Sequence, residues 1–290
     1  MHSMKIKQNQ QNKSDQHEFM KKYVLLVILI PLFLFLSPGF ESVGYAHSNQ
    51  PINWGFKRST DHQPPSAGQE YEQLLAEHNA FYLGDTDKKD IYLTFDNGYE
   101  NGFTDDILDV LKEKDVPATF FVTGHFLNEQ APLIKRMVNE GHIVGNHSWG
   151  HPNFTKISDE RVSEELRKVE QKFEAITGMK GMNYLRPPRG VFSERTLALA
   201  DQEGYMNVFW SLAYVDWKTD QQKGWKYAHD QIMKQVHPGA VVLLHTVSSD
   251  NAEALAQVID DIKAEGYEFK SLNDLVVEKE LGLNSDIFNP

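Results

Sequence analysis

Cysteine is absent from the 290 residues, which excludes disulfides and every thiolate metal site. Positive charge is scarce: 29 lysines and arginines stand against 41 aspartates and glutamates, a formal net charge of −12. Such a surface repels phosphate backbones, so nucleic acid is not an expected partner. Anionic wall polymers are poor candidates for the same reason, and a largely uncharged glycan fits better. A membrane-length apolar run is also lacking, because Tyr23–Leu36 falls short of the roughly twenty residues a comfortable span needs.

That short run has its own meaning. Lys21 and Lys22 precede it, Ser37-Pro38-Gly39 breaks it, and Gly44 and Ala46 occupy the −3 and −1 positions for a cut after Ala46. A basic flank, an apolar centre and a small-residue exit describe an export leader. An uncleaved anchor is the alternative, favoured by the polar extension before Lys21. The expected location is extracytoplasmic. Residues 1–46 carry five lysines and three acidic residues, so the remainder keeps 24 basic and 38 acidic residues, a formal −14.

Residues 47–85 read as an N-terminal arm, with Pro51, Pro64 and Pro65 keeping its first part extended and Gln69–His78 offering a short helix. From residue 86 to 275 short β-like runs alternate with amphipathic helices. Strands are expected at Ile91–Phe95, Ala118–Val122, His142–Gly145, Asn183–Leu185, Met206–Trp210, Ala240–Leu244 and Glu268–Lys270. Helices are expected at Phe103–Lys114, Ala131–Glu140, Asp159–Thr177, Ser193–Glu203, Trp225–Gln235 and Asn251–Glu265. Ser158 is the expected cap of the longest helix and Gly178 its stop. No repeat or linker interrupts this region, and residues 276–290 read as a tail. The pattern predicts one α/β domain, a deformed (β/α) barrel of about seven parallel strands, in preference to an open doubly wound sheet.

The unusual polar residues fall at strand ends. Asp96 and Asn97 end the first strand, His147 follows the third, Arg186 the fourth and Asp216 the fifth, and His245 ends the sixth. In a parallel β/α barrel those ends share one face, where active sites are built. His147 and His151, at i and i+4, are placed to hold one metal ion on a helical turn. Taken singly, each segment has a plain structural reading. Asp96-Asn97-Gly98 suits a turn, Arg186-Pro187-Pro188-Arg189-Gly190 a rigid loop, and Trp149, Trp210 and Trp217 the core. His125, His142, His229 and His237 lack matching neighbours and read as structural.

Together the segments resemble, in fixed order, the five motifs of the polysaccharide deacetylases with a NodB-type domain, carbohydrate esterase family 4. The motifs are Thr94-Phe95-Asp96-Asn97-Gly98, His147-Ser148-Trp149-Gly150-His151, Arg186-Pro187-Pro188-Arg189-Gly190, Asp216-Trp217 and Leu243-Leu244-His245. The resemblance implies Asp96 as catalytic base, oriented by Arg186, and His245 as acid, oriented by Asp216. It implies one divalent ion (zinc, manganese, cobalt or magnesium) on His147, His151 and the position of Asn97, and a glycan contacted by Arg189, Trp217, Pro188, Trp149 and Leu243. The family pattern has aspartate where Asn97 stands. A neutral amide offsets less of the metal's charge, so the ion is expected to bind weakly.

The variant Thr94-Phe95-Asp96-Asn97-Gly98-Tyr99-Glu100-Asn101-Gly102 resembles the bacterial muramic-acid deacetylases of spore-cortex muramic δ-lactam formation. That implies de-N-acetylation of N-acetylmuramic acid in peptidoglycan glycan strands lacking stem peptide, by a monomer with no protein partner. The same machinery would serve a glucosamine deacetylase of peptidoglycan or chitin, or a xylan esterase. A non-catalytic glycan-binding protein is the reading of another class, and retention of an acid and a base speaks against it.

Overall fold

The computed structural model describes residues 47–58 and 61–288, with side chains up to residue 281; the export leader read at 1–46 lies outside them. All seven expected strands are present, and they lengthen or shorten by a few residues according to where their ladder partners end. β3 (Asp90–Asn97) is the longest strand and is buried throughout. Its neighbours are β4 (Ala118–Val122) and β10 (Ala240–His245), both nearly continuous apolar runs. Such runs are what a parallel strand needs when both faces are covered. β5 (Ile143–Asn146), β6 (Tyr184–Leu185), β8 (Met206–Val208) and β11 (Glu268–Phe269) complete the expected set.

Two short strands add to that set: β2 (Ala80–Phe81) and β9 (Leu212–Ala213). The hydrogen-bonded order is β2-β8-β6-β5-β4-β3-β10-β9, all parallel, with β11 pairing the start of β3. The sheet is curled, and the terminal strands β2 and β9 do not pair, so this is a deformed, open barrel. A further antiparallel pair joins β1 (Ile52–Asn53) of the arm to β7 (Val191–Phe192). Two-residue strands carry no readable period, which is why sequence alone passed over them.

The helices α1 (Gln69–Glu77), α2 (Thr104–Glu113), α4 (Ala131–Asn139), α5 (Asp159–Thr177), α6 (Glu194–Gln202), α7 (Trp225–Met233) and α8 (Ser249–Ala264) follow the amphipathic pattern. Ser158 caps α5 by accepting the Arg161 N–H, and Gly178 stops it at φ 74°, in the left-handed region glycine enters cheaply. α3 (Gly124–Glu129) is a single short helix begun by Thr123, too brief for periodicity to reveal. α9 (Leu272–Phe288) begins inside the domain and runs through the stretch read as a tail. The main core lies between β3, β4 and β10 and the helices covering them, through Phe95, Phe120, Ile107, Val242 and Ile259. No described helix is long and apolar enough to cross a membrane. Residues His47–Pro290 form one compact unit.

Candidate active site

Register places the polar strand ends in one row. Asp96 pairs with His245 across β3 and β10, while Asn97, Val122, Asn146 and Leu185 pair in turn across β3, β4, β5 and β6. The chain leaves the sheet just beyond this row, and a cavity of about 910 Å³ opens there. Asp96, His147, His151, Arg189, Trp149, Trp217, Leu243 and His245 all line it. Arg186, Asp216, Asn97 and Pro188 do not; they are buried and act on the cavity through neighbours.

Arg186 is fully buried, a position a guanidinium occupies only when its donors are met. One terminal nitrogen donates to Asp96 Oδ1 at 2.8 Å and the other to Thr94 Oγ1 at 2.8 Å. Nε donates to the Val208 carbonyl at 3.1 Å, and the guanidinium lies over the Phe121 ring at 4.2 Å. Burial works to raise the Asp96 carboxyl, but the His147, Arg186 and His245 side chains outweigh it and hold its pKa below the ordinary carboxylate value. Asp96 is therefore ionised at neutral pH, with one oxygen tied to Arg186. The other stands 3.4 Å from His147 Nε2 at the cavity wall.

The segment 147–151 is not the helical turn that i, i+4 spacing suggests. It is a loop in which Ser148 (φ 66°) and His151 (φ 55°) both enter the left-handed region. Side chains beneath it hold that shape. Asn146 Oδ1 accepts from Ser148 N at 2.8 Å, Ser148 Oγ from His151 N at 2.9 Å, and the buried Glu165 carboxylate from Gly150 N at 2.6 Å. The loop brings the two imidazoles edge to face with centroids 4.8 Å apart. His147 Nδ1 donates to the Arg186 carbonyl at 2.8 Å, which leaves the Nε2 lone pair facing the cavity. Burial lowers the pKa of His147, and burial together with its neighbour His147 lowers that of His151 to about 4. Both rings are neutral donors at pH 7.

Asn97 donates from Nδ2 to Thr246 Oγ1 at 2.8 Å, while its carbonyl Oδ1 is buried without a hydrogen-bond partner among the described residues. An orphaned buried carbonyl on the residue after Asp96 and two neutral imidazoles at the cavity are, as donor types, suited to a divalent cation. The amide contributes no negative charge, and Asn97 itself does not line the cavity.

Across the cavity, His245 Nδ1 donates to Asp216 Oδ1 at 2.8 Å, and the His245 backbone N–H donates to Oδ2 at 2.8 Å. Asn251 Nδ2 also donates to Oδ2, at 2.6 Å. Burial favours the neutral imidazole of His245, but the charge and hydrogen bond of Asp216 outweigh it and raise its pKa. The ring packs against Trp217 at 5.7 Å between centroids, and Trp217 remains 50% exposed at the rim.

Arg189 sits in the turn Pro188–Gly190 with φ 62°, and buried Pro188 starts that turn. Arg189 lines the cavity and forms no ion pair or hydrogen bond among the described residues. Trp149 lies so close to Gly124 that a Cβ there would stand 2.3 Å from its ring, so only glycine lets α3 start beneath it. Wall residues that escaped sequence reading include Tyr99, Thr123, Trp210, Val247 and His125, the last read as structural. Asn251 escaped as well, since nothing local marks an asparagine in the first turn of a helix as a partner of residue 216.

Outside the cavity, His47, His78 and Glu194 bring their ligand atoms within 4.8 Å of one another, a set that can hold a divalent ion. None of the three lines the cavity.

The polysaccharide deacetylase family model matches residues 83–208. The peptidoglycan-N-acetylmuramic acid deacetylase PdaA of Bacillus subtilis is 58% identical over 250 residues, covering 86% of this chain and 95% of that protein. The solved structure of Bacillus subtilis PdaA, a family 4 carbohydrate esterase, aligns with a TM-score of 0.79 at 58% identity, covering 80% of this chain and 99% of that one. A peptidoglycan-N-acetylglucosamine deacetylase of Bacillus cereus is 32% identical over 195 residues, covering 66% of this chain and 70% of that protein. The chain belongs to the polysaccharide deacetylases of carbohydrate esterase family 4. It is a hydrolase of that class.

Proposed function

We propose that this protein removes the acetyl group from N-acetylmuramic acid in peptidoglycan glycan strands, acting outside the cytoplasm after export. The observation that carries the reaction type is the pairing of Asp96 with His245 on adjacent strands, each backed by a buried partner, at one cavity. The muramic substrate rests on the likeness to PdaA at 58% identity, against 32% for the glucosamine enzyme.

Asp96, ionised beside Arg186, takes a proton from the attacking water. His245, kept protonated by Asp216, gives a proton to the departing amine as the C–N bond breaks. The water's oxygen ends on acetate, and the sugar keeps a free amine. A divalent cation held by His147 and His151 with the Asn97 carbonyl supplies Lewis-acid polarisation of the acetyl carbonyl when bound. Trp217 walls the side of the cavity where His245 works and limits water there. The unpaired guanidinium of Arg189 suits bidentate pairing with the lactyl carboxylate, a group that muramic acid has and glucosamine lacks.

Acetate release from peptide-free glycan strands by residues 47–290, with mass spectrometry locating the lost acetyl group, tests the reading. Loss from muramic residues is expected. Loss from glucosamine alone overturns the substrate, and no loss across added divalent metals overturns the activity. An Arg189→Ala protein is expected to lose its preference for muramic over glucosamine residues; an unchanged preference removes Arg189 from recognition.

A further inference from the structure

The group formed by His47, His78 and Glu194 lies outside the cavity lining, and its geometry is that of a ligand set. His47 Nδ1 lies 2.9 Å from Glu194 Oε1, and the His47 and His78 rings meet at 79° with centroids 5.3 Å apart. His78 is only 9% exposed, and its ring forms no hydrogen bond among the described residues. Two imidazoles and a carboxylate are the donors that zinc-class ions take, at about 2.0–2.2 Å from the metal. Side-chain adjustments small beside the present 4.8 Å spread would close such a site.

The three ligands come from distant parts of the chain: the start of the arm, the residue after α1, and the first turn of α6. Glu194 already touches the arm a second time, through the Ser48 N–H at 3.1 Å. A few residues on, β1 pairs with β7, and Trp54 N donates to the Gly190 carbonyl at 2.8 Å. The arm therefore braces the turn that presents Arg189 to the cavity.

We propose that His47, His78 and Glu194 bind a zinc-class divalent cation, separate from the catalytic cavity, that fastens the N-terminal arm to the domain, and that removal of the leader after Ala46 completes the site. Cleavage there makes His47 the first residue. Its free α-amine and Nδ1 then close a chelate ring on one ion, which an amide-bonded His47 nitrogen cannot do. Export and metal loading are thereby coupled, the ion adding to the contacts that already dock the arm.

The test is calorimetric titration with zinc of residues 47–290 carrying His147→Ala and His151→Ala, which remove the two imidazoles proposed to hold the catalytic ion. One zinc per chain is expected, with a melting temperature several degrees higher than without zinc. Adding His78→Ala or Glu194→Gln is expected to weaken binding at least tenfold while leaving the zinc-free melting temperature within about two degrees. A version that keeps residues ahead of His47 is expected to bind at least tenfold more weakly. No zinc binding in the His147→Ala/His151→Ala protein, or binding indifferent to both His78→Ala and Glu194→Gln, overturns the site. Equal affinity with and without residues ahead of His47 overturns the coupling to cleavage.

Discussion

Asp96 and Asp216 are both buried carboxylates at one cavity, and each has a histidine beside it, yet they are wired differently. Every oxygen of Asp216 is committed: Oδ1 to the His245 ring, Oδ2 to the His245 backbone and Asn251. Asp96 spends one oxygen on Arg186 and keeps the other at 3.4 Å from His147, beyond a good hydrogen bond. A carboxylate with both oxygens engaged orients and charges its neighbour. One with an uncommitted oxygen at the cavity wall can accept a proton. The difference in partners, not in residue type, separates the proposed base from the residue proposed to position the acid.

The comparison breaks most severely at the free oxygen. Asp96→Ala is expected to cut kcat by about 10²–10⁴, the range for a lost general base, with KM on glycan strands little changed. An equal loss in kcat/KM arising wholly from KM would make Asp96 a binding group instead. Next comes the charge that keeps Asp96 ionised. Arg186→Met leaves a buried carboxylate without its partner and is expected to cost about 3–5 kcal/mol of stability, read by urea unfolding. A cost near zero would mean that Arg186 does not hold Asp96 as described.

The smallest expected effect sharpens the comparison through pH. The proposed reaction needs Asp96 ionised and His245 protonated. Asp96 has its pKa below the ordinary 3.8, so the acid limb of kcat/KM lies low. His245 has its pKa above the ordinary 6.5, so activity falls only as pH rises past that raised value. Asp216→Asn removes the negative charge that raises His245, and the alkaline limb is expected to move to lower pH while the acid limb stays. A shift of the acid limb instead would exchange the two roles.

Much of this arrangement is legible along the chain. The apolar runs of β3, β4 and β10 announce buried parallel strands, and Ser158 and Gly178 mark the ends of α5, because those signals act within a few residues. The polar letters at strand ends, Asp96, His147, Arg186 and His245, are legible for the same reason. The i, i+4 spacing of His147 and His151 misleads, since Asn146, Ser148 and Glu165 pull that segment into left-handed backbone rather than a helical turn. β2 and β9 stay hidden, because two residues carry no period and their pairing is set by partners far away.

The sequence by itself determined the inventory: an α/β alternation, an ionisable residue at most of the strand ends, and a neutral Asn97 where the family has a charge. Tertiary structure decided which atoms meet. It closed Asn251 on Asp216 and buried Arg186 against Asp96. It also set His147 Nε2 toward the cavity, and gathered His47, His78 and Glu194 outside its lining. Local propensity acts over a turn or a strand, whereas these contacts join residues tens of positions apart and depend on the register and curl of the whole sheet.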